Sequence, residues 1–255
     1  MERITSRTNE TVKAVVRLRE RAERARRRLF FCEGVHLAEE FLRHGRPVER
    51  VFATDAALES HGALLAGFGD RVTLVTPEVY GKLSEEKAPQ GILLVAPWPE
   101  NVSGRKPSAK RRSILLDGVR DPGNVGTVIR TAAALGIGRV VLSRDCADVL
   151  ACKTVRASMG AAFRAVPVSM TREAAVASCR ANGVRLLATA LRADAHDLRE
   201  ETLSQTAVII GSEGQGVCRE LLDAADGTVI IPMQSHCESL NAAVAATIVM
   251  WQMRR

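Results

Sequence analysis

No stretch of this chain is apolar for long enough to cross a membrane. Its most hydrophobic segment, Ala242 to Trp251, is about half the length a spanning helix needs. The opening MERITSR has no apolar signal core, so a cytoplasmic protein is expected. Paired cysteines are missing as well. The six cysteines (Cys32, Cys146, Cys152, Cys179, Cys218, Cys237) form no CxxC pair, so neither a zinc knuckle nor a disulfide framework is indicated. No metal is expected, and most of these thiols read as small buried side chains. Cys237 stands beside His236, but a Cys–His nucleophile needs a third orienting group and none is visible at this spacing. A packed loop residue is the simpler reading of Cys237, and a solvent-exposed one of His236. Also absent are GxGxxG and the GK[ST] ending of a phosphate-cradling loop, which weakens dinucleotide and nucleoside-triphosphate readings.

What is present is an ordinary soluble composition of 255 residues, 46% hydrophobic and 25% charged, enough for one large or two ordinary domains. The net charge is +7, and residues 1–28 hold ten Lys or Arg against four Glu. Almost the whole positive excess therefore sits in one N-terminal arm, densest at Arg26, Arg27 and Arg28. A polyphosphate partner, RNA in particular, is expected to contact these arginines, with salt-dependent affinity. The competing reading of the run is a solvated helix face.

Apolar strands alternate with helical patterns along the chain, which is an α/β pattern. A first domain is expected over 1–96, a Pro-, Ser- and Lys/Arg-rich linker over 97–112 and a second domain over 113–255. In the second, strands are expected at 113–117, 139–143, 164–168, 185–189, 207–211 and 228–232, and helices at 124–135, 171–182 and 240–254. Strands apolar on both faces with interleaved helices imply a parallel sheet covered on both sides.

Three segments carry the chemistry. In DPGNVGTVIRTAAALG (121–136) the turn at Pro122 and Gly123 precedes Asn124, suited to cap a helix. Arg130, set among Ile129, Ala132 and Ala133, calls for an anion or a carboxylate. In GSEGQG (211–216) the glycines let backbone approach a ligand after an apolar strand, with Glu213 as the acid. In IPMQSHCESLNAAVAA (231–246), Pro232 ends a strand and Ser239 begins a helix of small and apolar residues, close to Asn241. Each segment falls where a strand gives way to a helix or loop, the position of ligands in open α/β sheets.

Taken in order, these segments resemble the SpoU/TrmH branch of the SPOUT RNA 2′-O-ribose methyltransferases, and RASMGAAF (156–163) is similar to the same family. The first half resembles the smaller α/β ribosomal-protein-like (L30e-like) substrate-binding domain often fused in front. The resemblance implies a parallel-sheet catalytic domain with a C-terminal trefoil knot, and a homodimer with the site at or near its interface. It also implies methyl transfer from S-adenosyl-L-methionine to a ribose 2′-hydroxyl, with ribosomal RNA preferred over tRNA. Asn124, Arg130, Ser239 and Asn241 fall on the family's active-site positions and Glu213 on its second-motif acid. Gly211, Ile231 and Leu240 fall on cofactor-contacting positions, and Arg156 is a further RNA-contact candidate. Arg130 is either the base or the group that orients a phosphate and stabilises the developing alkoxide. Ser235 stands where the family commonly has Gly. The competing functions are a non-catalytic RNA-binding protein with the same fold and a dinucleotide enzyme using the glycine loops.

Overall fold

The computed structural model describes residues 1–99, 112–164, 167–234 and 239–254, with Arg164 described by its backbone alone. Most of the expected linker and the segment with Ser235, His236 and Cys237 lie outside the described residues. In chain order the elements are β1 (Glu2–Ile4), α1 (Glu10–Arg17), α2 (Arg21–Arg27), β2 (Leu29–Glu33), α3 (Val35–Arg43), β3 (Arg50–Ala53), α4 (Asp55–Ala66), β4 (Val72–Val75), α5 (Pro77–Leu83) and β5 (Ile92–Pro97). There follow β6 (Ser113–Leu116), α6 (Pro122–Leu135), β7 (Arg139–Ser143), α7 (Cys152–Ala157), α8 (Ala161–Arg164), β8 (Val168–Met170), α9 (Arg172–Ala181), β9 (Arg185–Thr189), β10 (His196–Asp197), β11 (Thr206–Ile210), α10 (Arg219–Ala224), β12 (Gly227–Ile230) and α11 (Ala242–Gln252). No helix among the described residues is long and apolar enough to cross a membrane.

The chain separates into two compact units, the first formed by Met1–Pro99 with Leu150–Gly160 and the second by the remaining described residues. The first holds a mixed sheet in the order β1-β4-β3-β5-β2. Its expected basic arm is not an arm. β1 pairs in parallel with β4, Asn9 caps α1, and Ile4, Val12, Val15 and Leu18 are buried in one cluster with Phe31, Phe52, Tyr80 and Leu83. Alternation of Arg with apolar residues here marks an amphipathic helix whose inner face is core, which is why a charge count alone misleads.

The segment 150–160, expected as part of an unbroken second domain, packs with the first unit. Cys152 joins the apolar cluster, its Sγ lies 3.9 Å from Glu33 Oε1, and Arg156 pairs with Glu86. Burial pushes the Cys32 and Cys152 thiols far up, out of the range of reactive thiolates.

The second unit is a seven-stranded sheet in the order β10-β12-β9-β11-β6-β7-β8, parallel at every pairing. Strands such as β6 and β11 are buried along their whole length, as a sheet covered on both faces requires. On one side, α9 and α10 bury Ala175, Cys179 and Leu221 with Leu115, Val141 and Ile209. Elsewhere in the unit, α6 packs against both α8 and α11. The order reverses between β6 and β11, the topological switch point at which crevices open beyond the strand carboxyl ends.

Candidate active site

The first motif begins where β6 stops. Asp117 is buried and accepts hydrogen bonds from Arg172 Nε at 2.7 Å and from the Cys218 backbone N–H at 2.8 Å. Arg172 also reaches Asp145 Oδ2 at 2.7 Å. Burial alone would raise the Asp145 carboxyl, but hydrogen bonds from Ser143 and Arg172 outweigh it and hold the group below its usual range. This cluster ties the ends of β6 and β7 to α9 and α10.

Helix α6 is capped by Asp121, which accepts from the Asn124 backbone N–H at 2.8 Å. Asn124 is therefore not the cap, contrary to the sequence reading. Pro122 occupies the first turn, where a missing N–H costs nothing, and the Asn124 side chain is left free for tertiary contacts. It donates through Nδ2 to Glu213 Oε1 and accepts at Oδ1 from Asn241 Nδ2 at 3.1 Å. Asn241 Oδ1 accepts from the backbone N–H groups of Ala243 and Val244, so Asn241, rather than Ser239, caps α11. Because the capping oxygen must face the helix, the Asn241 amide presents its NH2 to Asn124, which in turn presents its own NH2 to Glu213. Three motifs distant in sequence thus meet in one directional chain.

Beside this chain lies a largely apolar cleft of about 450 Å³ beyond the carboxyl ends of β9, β11 and β12. Gly211, Glu213, Ile231, Ser239 and Leu240 all line it, so every expected cofactor-contacting residue is in one place. Its size falls in the range that encloses a small-molecule ligand. Sequence reading missed its far wall, Thr189 to Arg192, although the end of the apolar strand RLLAT was the signal available. Among the described residues no three His, Cys, Asp or Glu side chains are grouped to hold a metal ion.

Gly211 is required by close approach. A Cβ there would lie 2.0 Å from the Gly216 carbonyl carbon and 2.2 Å from the Val217 nitrogen, inside the hairpin closed by reciprocal Ser212 and Gly216 backbone hydrogen bonds. Gly211→Ala is expected to force this cleft-lining hairpin open and to destabilise the protein by about 1–3 kcal/mol. Thermal unfolding with and without S-adenosylhomocysteine checks it: the variant should melt lower and lose the ligand-induced rise.

Arg130 stands apart. It lies on the exposed side of α6, whose buried positions are Val125, Gly126, Val128, Ile129 and Ala132, and it lines neither the cleft nor the asparagine chain. The expectation that its apolar neighbours oblige it to reach an anion or a carboxylate loses its ground in the helix itself, since Ile129 and Ala132 are buried while Arg130 is on the exposed side. The RNA candidates divide similarly. Arg26, Arg27 and Arg28 are exposed, Arg26 being paired with Glu23, whereas Arg156 is half-buried against Glu86 and acts within the first unit.

A parallel sheet with an apolar cleft at its carboxyl edge, rimmed by an Asn–Asn–Glu chain drawn from three motifs, is the geometry of a small-molecule-binding α/β domain. Residues 111–251 match the SpoU rRNA Methylase family, and residues 9–94 match the MRM3-like substrate binding domain. The chain is 34% identical over 254 residues to the 23S rRNA (guanosine(2553)-2′-O)-methyltransferase RlmP of Bacillus subtilis, covering 100% of both. It superposes with a TM-score of 0.83 and 30% identity on the AdoMet-bound rRNA methyltransferase from Sinorhizobium meliloti, covering 100% of this chain and 97% of that one. The SpoU methyltransferase AviRb from Streptomyces viridochromogenes in complex with AdoMet gives a TM-score of 0.83 at 28% identity, over 97% of each chain. This chain belongs to the SpoU rRNA methylase family.

Proposed function

We propose that this protein methylates a ribose 2′-hydroxyl of 23S ribosomal RNA in the cytoplasm, using S-adenosylmethionine held in the cleft between Gly211, Ile231 and Leu240. The observation that carries the reading is the hydrogen-bonded chain from Glu213 through Asn124 to Asn241 at the rim of that cleft. The trefoil crossing of the C-terminal chain is part of the same reading. When bound, S-adenosylmethionine supplies an already activated methyl group, so the protein's work is to place a poor nucleophile in line and to stabilise the charge on its oxygen while the hydroxyl proton leaves to solvent. Ile231 and Leu240 give an adenosine ring apolar walls. The Glu213–Asn124–Asn241 chain fixes three loops so that the cleft stays in register with the incoming ribose. Arg130 serves by holding a substrate phosphate and offsetting the alkoxide charge through its donor-only guanidinium.

We further propose a homodimer. Val244, Ile248 and Trp251 remain exposed at 48%, 37% and 58% along one stripe of α11, which packs on the helix that carries Arg130. A two-fold interface over α11 buries this stripe and brings one subunit's Arg130 to the other's cleft, completing a site that is incomplete within one chain. S-Adenosylhomocysteine at about 100 times its Kd should raise stability by about 2.7 kcal/mol, read as a higher Tm, and NAD should not. Labelled methyl incorporation into 23S rRNA, with the product mapped to a 2′-oxygen, tests the reaction; incorporation only into tRNA, or none, would reject the assignment.

A further inference from the structure

The chain has nine aromatic side chains, six Phe, two Trp and one Tyr. All six Phe and Tyr80 are buried to 3% exposure or less. Trp251 belongs to the apolar stripe of α11, which leaves Trp98, partly exposed after β5, as the one such ring in the first unit that reaches the surface. The Arg28 guanidinium carbon lies 4.7 Å from the centre of this ring and over its face. The two residues are also joined through the backbone, the Trp98 N–H donating to the Arg28 carbonyl at 2.9 Å.

Arg28 ends α2 with φ +56° and ψ +34°, a left-handed conformation that turns the chain sharply into β2. It is exposed, and its neighbours Arg26 and Arg27 are exposed too. Arg26 is engaged with Glu23 and Arg27 with the Ala14 carbonyl. Arg28 instead has its guanidinium carbon over the indole while the residue stays exposed.

We propose that Arg28, held over the face of Trp98, is a stacking platform for an unpaired RNA base, which rests on the guanidinium to make a base–Arg28–Trp98 sandwich. Single-stranded RNA is recognised by such stacking on aromatic and guanidinium planes, and the indole holds the guanidinium over its face before RNA arrives, so less rotamer freedom is lost on binding. Arg26 and Arg27 supply the charge that draws the strand in. The inference rests on RNA being the substrate and adds the particular subsite that grips it.

Arg28→Lys is the deciding variant because it keeps the charge and removes the plane, and Lys meets the same left-handed backbone requirement. The probe is a fluorescein-labelled single-stranded RNA 15-mer and the duplex of the same sequence, titrated from 50 to 300 mM salt. Stacking of a base contributes about 1–3 kcal/mol, so Arg28→Lys and Trp98→Ala should each weaken single-strand binding about tenfold. The slope of log K against log salt should stay unchanged for Arg28→Lys, duplex affinity should hold, and Trp98→Phe should restore most of the loss. Unchanged single-strand affinity in both variants, or equal losses for strand and duplex, would overturn the platform while leaving the methyltransferase reading intact. A wild-type protein that binds neither RNA would overturn both. Circular dichroism and the S-adenosylhomocysteine-induced rise in Tm, which the platform residues do not touch, show that each variant is folded.

Discussion

Removal of residues 1–28 is expected to abolish cooperative folding of the unit formed by residues 1–99 and 150–160, rather than merely to reduce its affinity for RNA. The deletion takes away edge strand β1 with its pairing from Glu2↔Thr73 to Ile4↔Val75. It also removes Ile4, Val12, Val15 and Leu18, each 5% exposed or less, and the buried Arg24, whose Nη1 donates to the carbonyls of Leu18 and Arg19 at 2.7 Å. Four fully buried aliphatic side chains contribute about 6–12 kcal/mol at about 1.5–3 each, comparable to the whole net stability of a domain. Urea titration followed by circular dichroism should show one transition lost from the truncated protein. A truncated protein that retains it at the original midpoint would mean that β1 and α1 are accessory. Exposed charges of this region must therefore be tested by single substitutions such as Arg26→Glu or Arg27→Glu, which leave Ile4, Val12, Val15 and Leu18 in place.

The sheet of the second unit was legible because β6, β7, β9, β11 and β12 are short apolar runs bounded by turn residues, and a parallel sheet covered on both faces needs such runs. The stretch 164–168 was not, since Arg164 closes α8 and Pro167 has no N–H to give to a ladder, so β8 starts only at Val168. β10 escaped notice because two residues, His196 and Asp197, carry no period. At the site, the three loops and their cleft were legible from strand-to-helix junctions, but the roles of individual side chains were not. Asp121 and Asn124 are both good caps by type, and only the helix start at Pro122 decides between them. Docking of residues 150–160 on the first unit was invisible for a different reason: the contacts from Cys152 to Glu33 and from Arg156 to Glu86 join positions 119 and 70 residues apart, and no local pattern encodes such a pairing.

Arg130→Ala is expected to lower methyl transfer by about 10²- to 10³-fold, the loss that follows removal of one group aimed at a developing oxyanion. Its fold should be unaffected, because Arg130 is on the exposed side of α6 and replacing it there by Ala, the best helix former, removes no buried contact. S-Adenosylhomocysteine should still raise the Tm, since the cleft residues Gly211, Ile231 and Leu240 are untouched. Loss of rate with retained ligand binding separates an active-site role from a structural one. The position of Arg130, outside its own chain's cleft, permits a sharper test. If it serves the cleft of a second subunit, co-expressing Arg130→Ala with Gly211→Ala should recover up to about a quarter of wild-type activity, because random pairing gives about half heterodimers, each with one complete site. Should Arg130 serve its own cleft instead, every site in that mixture lacks either the guanidinium or the ligand pocket, and the mixture stays as inactive as its parents. Full activity of Arg130→Ala alone would leave only the Glu213–Asn124–Asn241 chain and the ribose's own acidity to promote the transfer, a set of groups with no fixed positive charge to meet the alkoxide.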